Sequence, residues 1–344
     1  MRRHSVPMAM LGRLTLIAGC CGPAAARADV PMTYLRTFGG MKGLQITALT
    51  WGLLILSIVV VVITSALVLV GVLIRRSRAG AAEREPVSQT GSGVQWIYIG
   101  VGISTVVLAA AMVWNGYTIA AINSPPRDPR LTIEVRGHQW WWEVRYLSED
   151  QSRIFETANE IHMPVGEPVR FKVSTADVIH SFWVPAIGDK IDLIPNQTNT
   201  TWLEAGRAGV YRGQCAEYCG GQHAHMGILL VAQEPADFEA WWRHQLTPVS
   251  SADLAVQEGQ QQFVLHCGAC HSIRGTRAGG RLGPDLSHLM SRRSLGAATL
   301  PNTIGHLSGW IADPQRVKPG NLMPTLDLSG PELASIRAFL EVQK

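Results

Sequence analysis

The rhythm of hydrophobic and polar positions changes twice along the chain. Leu44 to Ile74 and Val94 to Ile122 contain no charged residue, and each run exceeds the ~20 apolar residues that a membrane-spanning helix needs. Two spanning helices, about 44–74 and 94–122, are therefore predicted within a hairpin of residues 40–123. A buried helix of a soluble protein is the alternative for either run, but two in succession weigh against it. Trp96, Trp114 and Tyr117, near the ends of the second run, suit the membrane–water interface. From Leu131 the pattern shortens to alternating or wholly apolar runs: L-T-I-E-V, V-R-F-K-V, T-T-W-L and G-I-L-L-V. Turn residues separate them, which predicts an all-β Greek-key barrel or sandwich over 127–246. Pro235 to Leu246 reads as a short amphipathic helix closing that unit, and 247–251 as a linker. Helical spacing governs 252–344. There Ser329-x-x-Glu332 is a capping box opening a last helix, with Leu333, Ile336, Phe339 and Leu340 on one side. The predicted class is a multidomain membrane protein: transmembrane hairpin, β-barrel, then an all-α domain.

With 344 residues, 47% of them apolar, the chain has room for two or three domains and a membrane part. Residues 1–28 read as a signal peptide, with Arg2, Arg3 and Arg13 before an apolar stretch. Ile17-Ala18-Gly19-Cys20 has the form of a lipoprotein box, cut before Cys20, and is preferred; Ala26-Arg27-Ala28 offers an ordinary cut before Asp29. Arg75, Arg76, Arg78 and Arg84 lie between the apolar runs, so that loop is expected in the cytoplasm and both flanks outside it. Charge then divides by module. Residues 1–126 carry 10 Lys and Arg against 3 Asp and Glu, residues 127–250 carry 11 against 16, and residues 251–344 carry 9 against 7. A basic anchor, an acidic middle and a mildly basic end follow, and the last two attract one another.

The 6 cysteines fall in close pairs, a pattern of ligation or attachment more than of a disulfide framework. Residues 215–226 read C-A-E-Y-C-G-G-Q-H-A-H-M. Cys215, Cys219, His223 and Met226, with His180 upstream, offer thiolates, imidazoles and a thioether, which together favour copper. A zinc site is a competitor, although it leaves Met226 without a role. A disulfide is another, given an extracytoplasmic location. Further on, Cys267-Gly268-Ala269-Cys270-His271 has the form of covalent haem attachment, with His271 as an iron ligand. Met290, His288, His306 and Met323 are the candidates for the other axial position. Met323 is preferred, because it lies in the rigid K-P-G-N-L-M-P loop before the last helix.

At these residues the chain resembles cytochrome c oxidase subunit II. The family pattern H…C-x-E-x-C-x3-H-x2-M is met at His180, Cys215, Glu217, Cys219, His223 and Met226. The resemblance implies a cupredoxin-like barrel holding binuclear CuA, with Cys215 and Cys219 bridging two coppers. His180 and His223 then give one nitrogen each, and Met226 and the Glu217 carbonyl are weak axial ligands. It maps Trp140, in G-H-Q-W, onto the family's exposed tryptophan through which electrons reach CuA. The Glu217 side chain corresponds to a ligand of Mg shared with the catalytic subunit, near Asp192. Residues 252–344 resemble cytochrome c, with haem c on Cys267, Cys270, His271 and Met323, so the whole is similar to bacterial oxidases whose subunit II carries a fused haem domain.

The function this implies is passage of electrons from an external donor through haem c and CuA to the catalytic subunit I of a haem–copper terminal oxidase. The donor would be cytochrome c or a quinol–cytochrome c reductase. Expected partners are the other oxidase subunits and membrane lipid, not nucleic acid. The expected location is the bacterial inner membrane, with both redox domains on the periplasmic side. A CuA-containing nitric oxide reductase subunit and a membrane-anchored electron carrier are the alternatives. One departure is noted: no acid precedes Trp96, where many members have a Glu that assists proton uptake.

Overall fold

The computed structural model describes residues 32–33, 39–77, 92–249 and 251–344. The signal-peptide reading with its Cys20 alternative lies outside the described residues, as do Arg78 and Arg84 of the interhelical loop.

Two long helices open the described chain, α1 (Gly40–Ser77) and α2 (Ser92–Asn123). Both are long and apolar enough to cross a membrane, over Gly40–Ile74 and Gly93–Asn123. They outrun the charge-free stretches by a few residues, because helix formation continues past the apolar run wherever no Pro or Gly pair stops it. Their outer ends are tied to the next domain. Lys42, buried at the foot of α1, pairs with Asp189 at 2.6 Å and donates to Thr201 Oγ1 and the Trp202 carbonyl, both at 3.0 Å. The Trp202 indole N–H donates to the carbonyl of Ile122, near the end of α2.

The middle domain has ten strands: β1 (Leu131–His138), β2 (Trp141–Leu147), β3 (Phe155–Ala158), β4 (Glu160–Pro164), β5 (Val169–Thr175), β6 (His180–Trp183), β7 (Ile191–Leu193), β8 (Asn199–Leu203), β9 (Gly209–Cys215) and β10 (Gly227–Gln233). They form two five-stranded sheets, in the orders β3-β2-β1-β5-β8 and β4-β10-β9-β6-β7. Alternation along each strand decides which face is buried. Ile133 and Val135 of β1, Phe171 and Val173 of β5, and Phe182 of β6 are enclosed, with Trp142 at the centre. Trp142 meets Phe182 edge-on at 5.9 Å between ring centroids, an arrangement favoured by the ring quadrupoles. Helix α3 (Pro235–Leu246) seats Phe238 and Trp242 against the same core.

The C-terminal domain is helical: α4 (Leu254–His266), a two-strand ribbon of β11 (Ser294–Leu295) and β12 (Leu300–Pro301), then α5 (Ile304–Ala312), α6 (Pro314–Val317) and α7 (Gly330–Glu341). Helices α4 and α7 cross at Gly259, where a Cβ would strike the Ser335 carbonyl and Phe339. Phe263 and Phe339 pack beside the crossing. The capping box of Ser329 and Glu332 is present at the start of α7.

Candidate metal centre

Strand pairing brings the sulfur and imidazole ligands together. β6 and β9 are antiparallel neighbours, with Phe182 opposite Cys215, so His180 on β6 lies beside the end of β9. β9 returns as β10 through the loop 216–226, which is closed by the Cys215 amide donating to the Met226 carbonyl. A single turn at His223–His225 folds that loop back. The sulfurs of Cys215 and Cys219 are 3.8 Å apart, and both cysteines are free and buried. A disulfide at ~2.05 Å is a different geometry, so the two cysteines are not bridged in this structure.

Each sulfur has its own imidazole. His180 Nδ1 lies 3.8 Å from Cys215 Sγ, and His223 Nδ1 lies 3.5 Å from Cys219 Sγ. Met226 Sδ is 3.8 Å from Cys219 Sγ, and the Glu217 carbonyl oxygen is 3.2 Å from Cys215 Sγ. All six positions of the motif therefore converge. Two soft sulfurs, two imidazoles and a thioether at these separations fit copper, and the thioether is what zinc sites lack. The pair also shares its protons unequally. The Cys219 thiol, donating to Cys215, helps pull the Cys215 pKa down to about 4, while Cys219 is raised. Burial lowers His180, but the Asp177 carboxylate and the Cys215 sulfur more than offset it, and its pKa is raised.

Asp177 and Gln139 also act on this cluster and were not legible in the motif. Asp177 accepts from His180 Nε2 at 2.8 Å and from the Gln139 amide at 2.7 Å, which fixes the ring with Nδ1 towards the sulfurs. Gln139 Nε2 donates to the Cys219 carbonyl at 2.7 Å, and Trp140 Nε1 donates to the same oxygen at 3.0 Å. Gly220, with φ of +113°, leaves the space into which Gln139 and Trp140 reach. A carboxylate two residues into a β5–β6 connection carries no sequence signal of its own. The His225 side chain bonds Gln222, and its backbone carbonyl receives Lys318.

The second centre is an apolar cavity of about 330 Å³ in the C-terminal domain, lined by Cys267, Cys270, His271 and Met323. His271 Nδ1 donates to the Pro284 carbonyl at 2.8 Å, leaving Nε2 free to ligate. Gly283 lies so close to the His271 ring that a Cβ there would displace it. Burial, with the Cys270 sulfur nearby, pushes the Cys267 thiol up to about 11. Of the four candidates for the other axial ligand, Met323 alone lines the cavity. His288 is spent on the Lys344 and Thr247 carbonyls, His306 caps with Thr303, and Met290 packs against the domain core. Gln315 Nε2 donates to the carbonyls of Met323 and Asn321 and steadies their loop. These residues fit a haem attached at both cysteines.

Trp140 corrects one expectation. Instead of standing exposed, it is half-buried and lines the cavity of the C-terminal domain. Folding of the extra domain onto the β-sandwich covers it. Glu217 is exposed, and Asp192 receives Ser181 and Lys190. Among the described residues the only group of three or more converging Cys, His or acidic ligands is His180, Cys215 and Cys219.

Comparison with known proteins matches both of the domains that carry these residues. The model of the family "Cytochrome C oxidase subunit II, periplasmic domain" matches residues 143–233, and that of "Cytochrome c" matches residues 256–344. Cytochrome c oxidase subunit 2 of Alkalihalophilus pseudofirmus OF4 is 34% identical over 302 residues, covering 85% of this chain and 86% of the relative. That of Bacillus sp. PS3 is 32% identical over 269 residues, covering 72% and 73%. A crystal structure of the periplasmic domain of cytochrome oxidase subunit II from Bradyrhizobium japonicum is 36% identical with a TM-score of 0.32, and covers 34% of this chain and 94% of that one. A chain that aligns along most of its length with these subunits, and continues into a cytochrome c domain, belongs to the cytochrome c oxidase subunit II family.

Proposed function

We propose that this subunit takes electrons from an external donor and passes them by way of covalent haem c and binuclear CuA to the catalytic subunit of a haem–copper oxidase, which reduces oxygen and translocates protons. The observation that carries this reading is a continuous run of contacts between the two centres. Trp140 lines the cavity that holds His271 and Met323, and its indole N–H donates to the carbonyl of Cys219.

Bound copper and haem supply the one-electron chemistry; the chain supplies position and environment. Cys215, Cys219, His180 and His223 would hold the copper pair, with Met226 and the Glu217 carbonyl as weaker donors. Asp177 holds His180 and the Gln139–Trp140 segment together, so the ligand and the contact residue share one anchor. Enclosure of both cysteines keeps water from the site. In the haem domain, Cys267 and Cys270 would hold the haem covalently, and His271 and Met323 would ligate its iron; a His/Met pair raises the reduction potential, as an accepting centre requires. The Glu217 side chain, exposed beside the copper loop, would meet Mg at the junction with the catalytic subunit.

Placement of both redox domains on the periplasmic side belongs to the same proposal and rests on the arginine-rich loop. Trp140→Ala is expected to slow transfer from haem to copper at least about tenfold, a barrier change of ~1.4 kcal/mol, with the copper absorption spectrum retained. An unchanged rate in a flash-reduction experiment defeats the assignment. Purification with the partner subunit, followed by identification of its haems and its turnover on oxygen and on nitric oxide, tests the terminal acceptor.

A further inference from the structure

Lys318 is the most enclosed charge in the cytochrome c domain, only 2% exposed. Its ammonium has no carboxylate within ion-pair distance among the described residues. It donates to the carbonyls of Trp140 at 2.6 Å, His225 at 2.8 Å and Gly296 at 3.1 Å, which uses all three of its N–H bonds. Two of those acceptors belong to the copper domain and one to the haem domain. The two in the copper domain flank the metal loop: Trp140 bonds Cys219, and His225 sits between His223 and Met226. On its own side, Lys318 begins the loop that ends at Met323, and its carbonyl accepts from Asn321.

Burial of an ammonium is unfavourable unless acceptors replace its water. Here burial pulls its pKa down to about 7, with the Cys219 sulfur opposing. Two of the three replacing oxygens exist only when the domains are docked. A lysine stem is flexible, so in an undocked haem domain the ammonium would return to solvent. The three carbonyls replace its water only in part, and a register that buried it without them would cost more, so Lys318 favours this docked register over others. Further bonds follow the same seam: the Gly227 amide donates to the Ala297 carbonyl at 3.0 Å, Gln222 donates to the Pro319 carbonyl at 2.9 Å, and the Arg293 amide donates to the buried Glu160 carboxylate at 2.8 Å.

We propose that Lys318 is a positioning residue that latches the haem domain onto the copper loop, so that electrons cross between the two centres at a fixed separation without waiting for the domains to dock. The kinetic part rests on the relay proposed above; the latch itself does not.

The test uses the full chain loaded with copper and haem, with Lys318→Met as the variant of similar length without charge. Expected are metal content and both absorption spectra like the parent's, with amides of Gly227 and Arg293 exchanging at least about tenfold faster. Transfer from haem to copper should slow and become dependent on solvent viscosity, as domain docking would make it. Parental exchange protection in the variant, or an unchanged and viscosity-independent rate, overturns the latch. If Lys318→Met does not load its metals, Lys318→Gln, which is shorter and neutral but keeps two N–H donors, is read by the same two measurements. Lost protection in the variant, with no transfer between the centres even in the parent, would leave the latch standing and remove the relay.

Discussion

Tyr146 shows how a single polar atom is made compatible with the β-sandwich core. Its hydroxyl donates to the His162 carbonyl at 2.8 Å and accepts from the His162 amide at 2.6 Å, and enclosure raises its pKa well above the ordinary value. The folded domain therefore keeps a proton that the unfolded chain releases above about pH 10. That proton contributes stability below this pH, and the contribution falls as pH rises further. Tyr146→Phe is expected to cost ~1 kcal/mol at pH 7 and to flatten the loss of stability above about pH 10, as followed by chemical denaturation at both pH values. Asp177 acts at the same scale through its bonds to His180 and Gln139. Asp177→Ala should lower copper affinity by about 10–100-fold, measured against a competing chelator. Retained affinity would show that His180 needs no external support. The candidate ligands were visible in sequence because metal chemistry restricts residue type and spacing. Asp177 was not, since hydrogen bonding to a ligand admits many residue types at many distances along the chain.

Elements form where local pattern and packing agree. The start of α7 was legible to the residue, because Ser329 and Glu332 satisfy each other's backbone partners within four positions. Its pairing with α4 depends on Gly259, which lets the helices approach until only a hydrogen fits between them and the Ser335 carbonyl. Gly259→Ala should destabilise the haem domain by roughly 1–3 kcal/mol, despite alanine's better helix propensity, because the added methyl forces the crossing apart. Thermal unfolding followed at the haem absorption band would detect this, and a stabilised variant would contradict the crossing. In the β-domain, alternation identified strands but not neighbours. β1 pairs antiparallel with β2 and parallel with β5, a choice made by the connections and not by any one strand.

At the scale of the molecule, the acidic middle and the mildly basic end are joined by a seam that contains the covered Trp140 and the buried Lys318. Copper should stabilise the middle domain, because the ligands come from two strands and one loop that metal would tie together. Removal of copper by a chelator is therefore expected to lower the melting temperature of the β-domain transition, with a smaller effect on the haem domain. Equal melting with and without metal would mean that the loop is set before metal binds. Analysis of the loaded protein for two coppers per chain tests the binuclear reading directly; one copper, or zinc, would defeat it.

From the sequence alone came whatever is governed by local chemistry: the charge-free helices, the alternating strands, the converging Cys, His and Met ligands, and the haem-attachment pair. Apart from His180, 35 residues upstream of Cys215, each is set by residue types within a few turns or a single loop, so no distant part of the chain is needed to read it. Tertiary structure alone decided that Trp140 is half-buried against the haem domain and that Lys318 lies between the centres. Those outcomes depend on two separately folded domains meeting in one orientation, where the worth of a buried charge or an indole N–H is settled by acceptors contributed from up to 178 residues away.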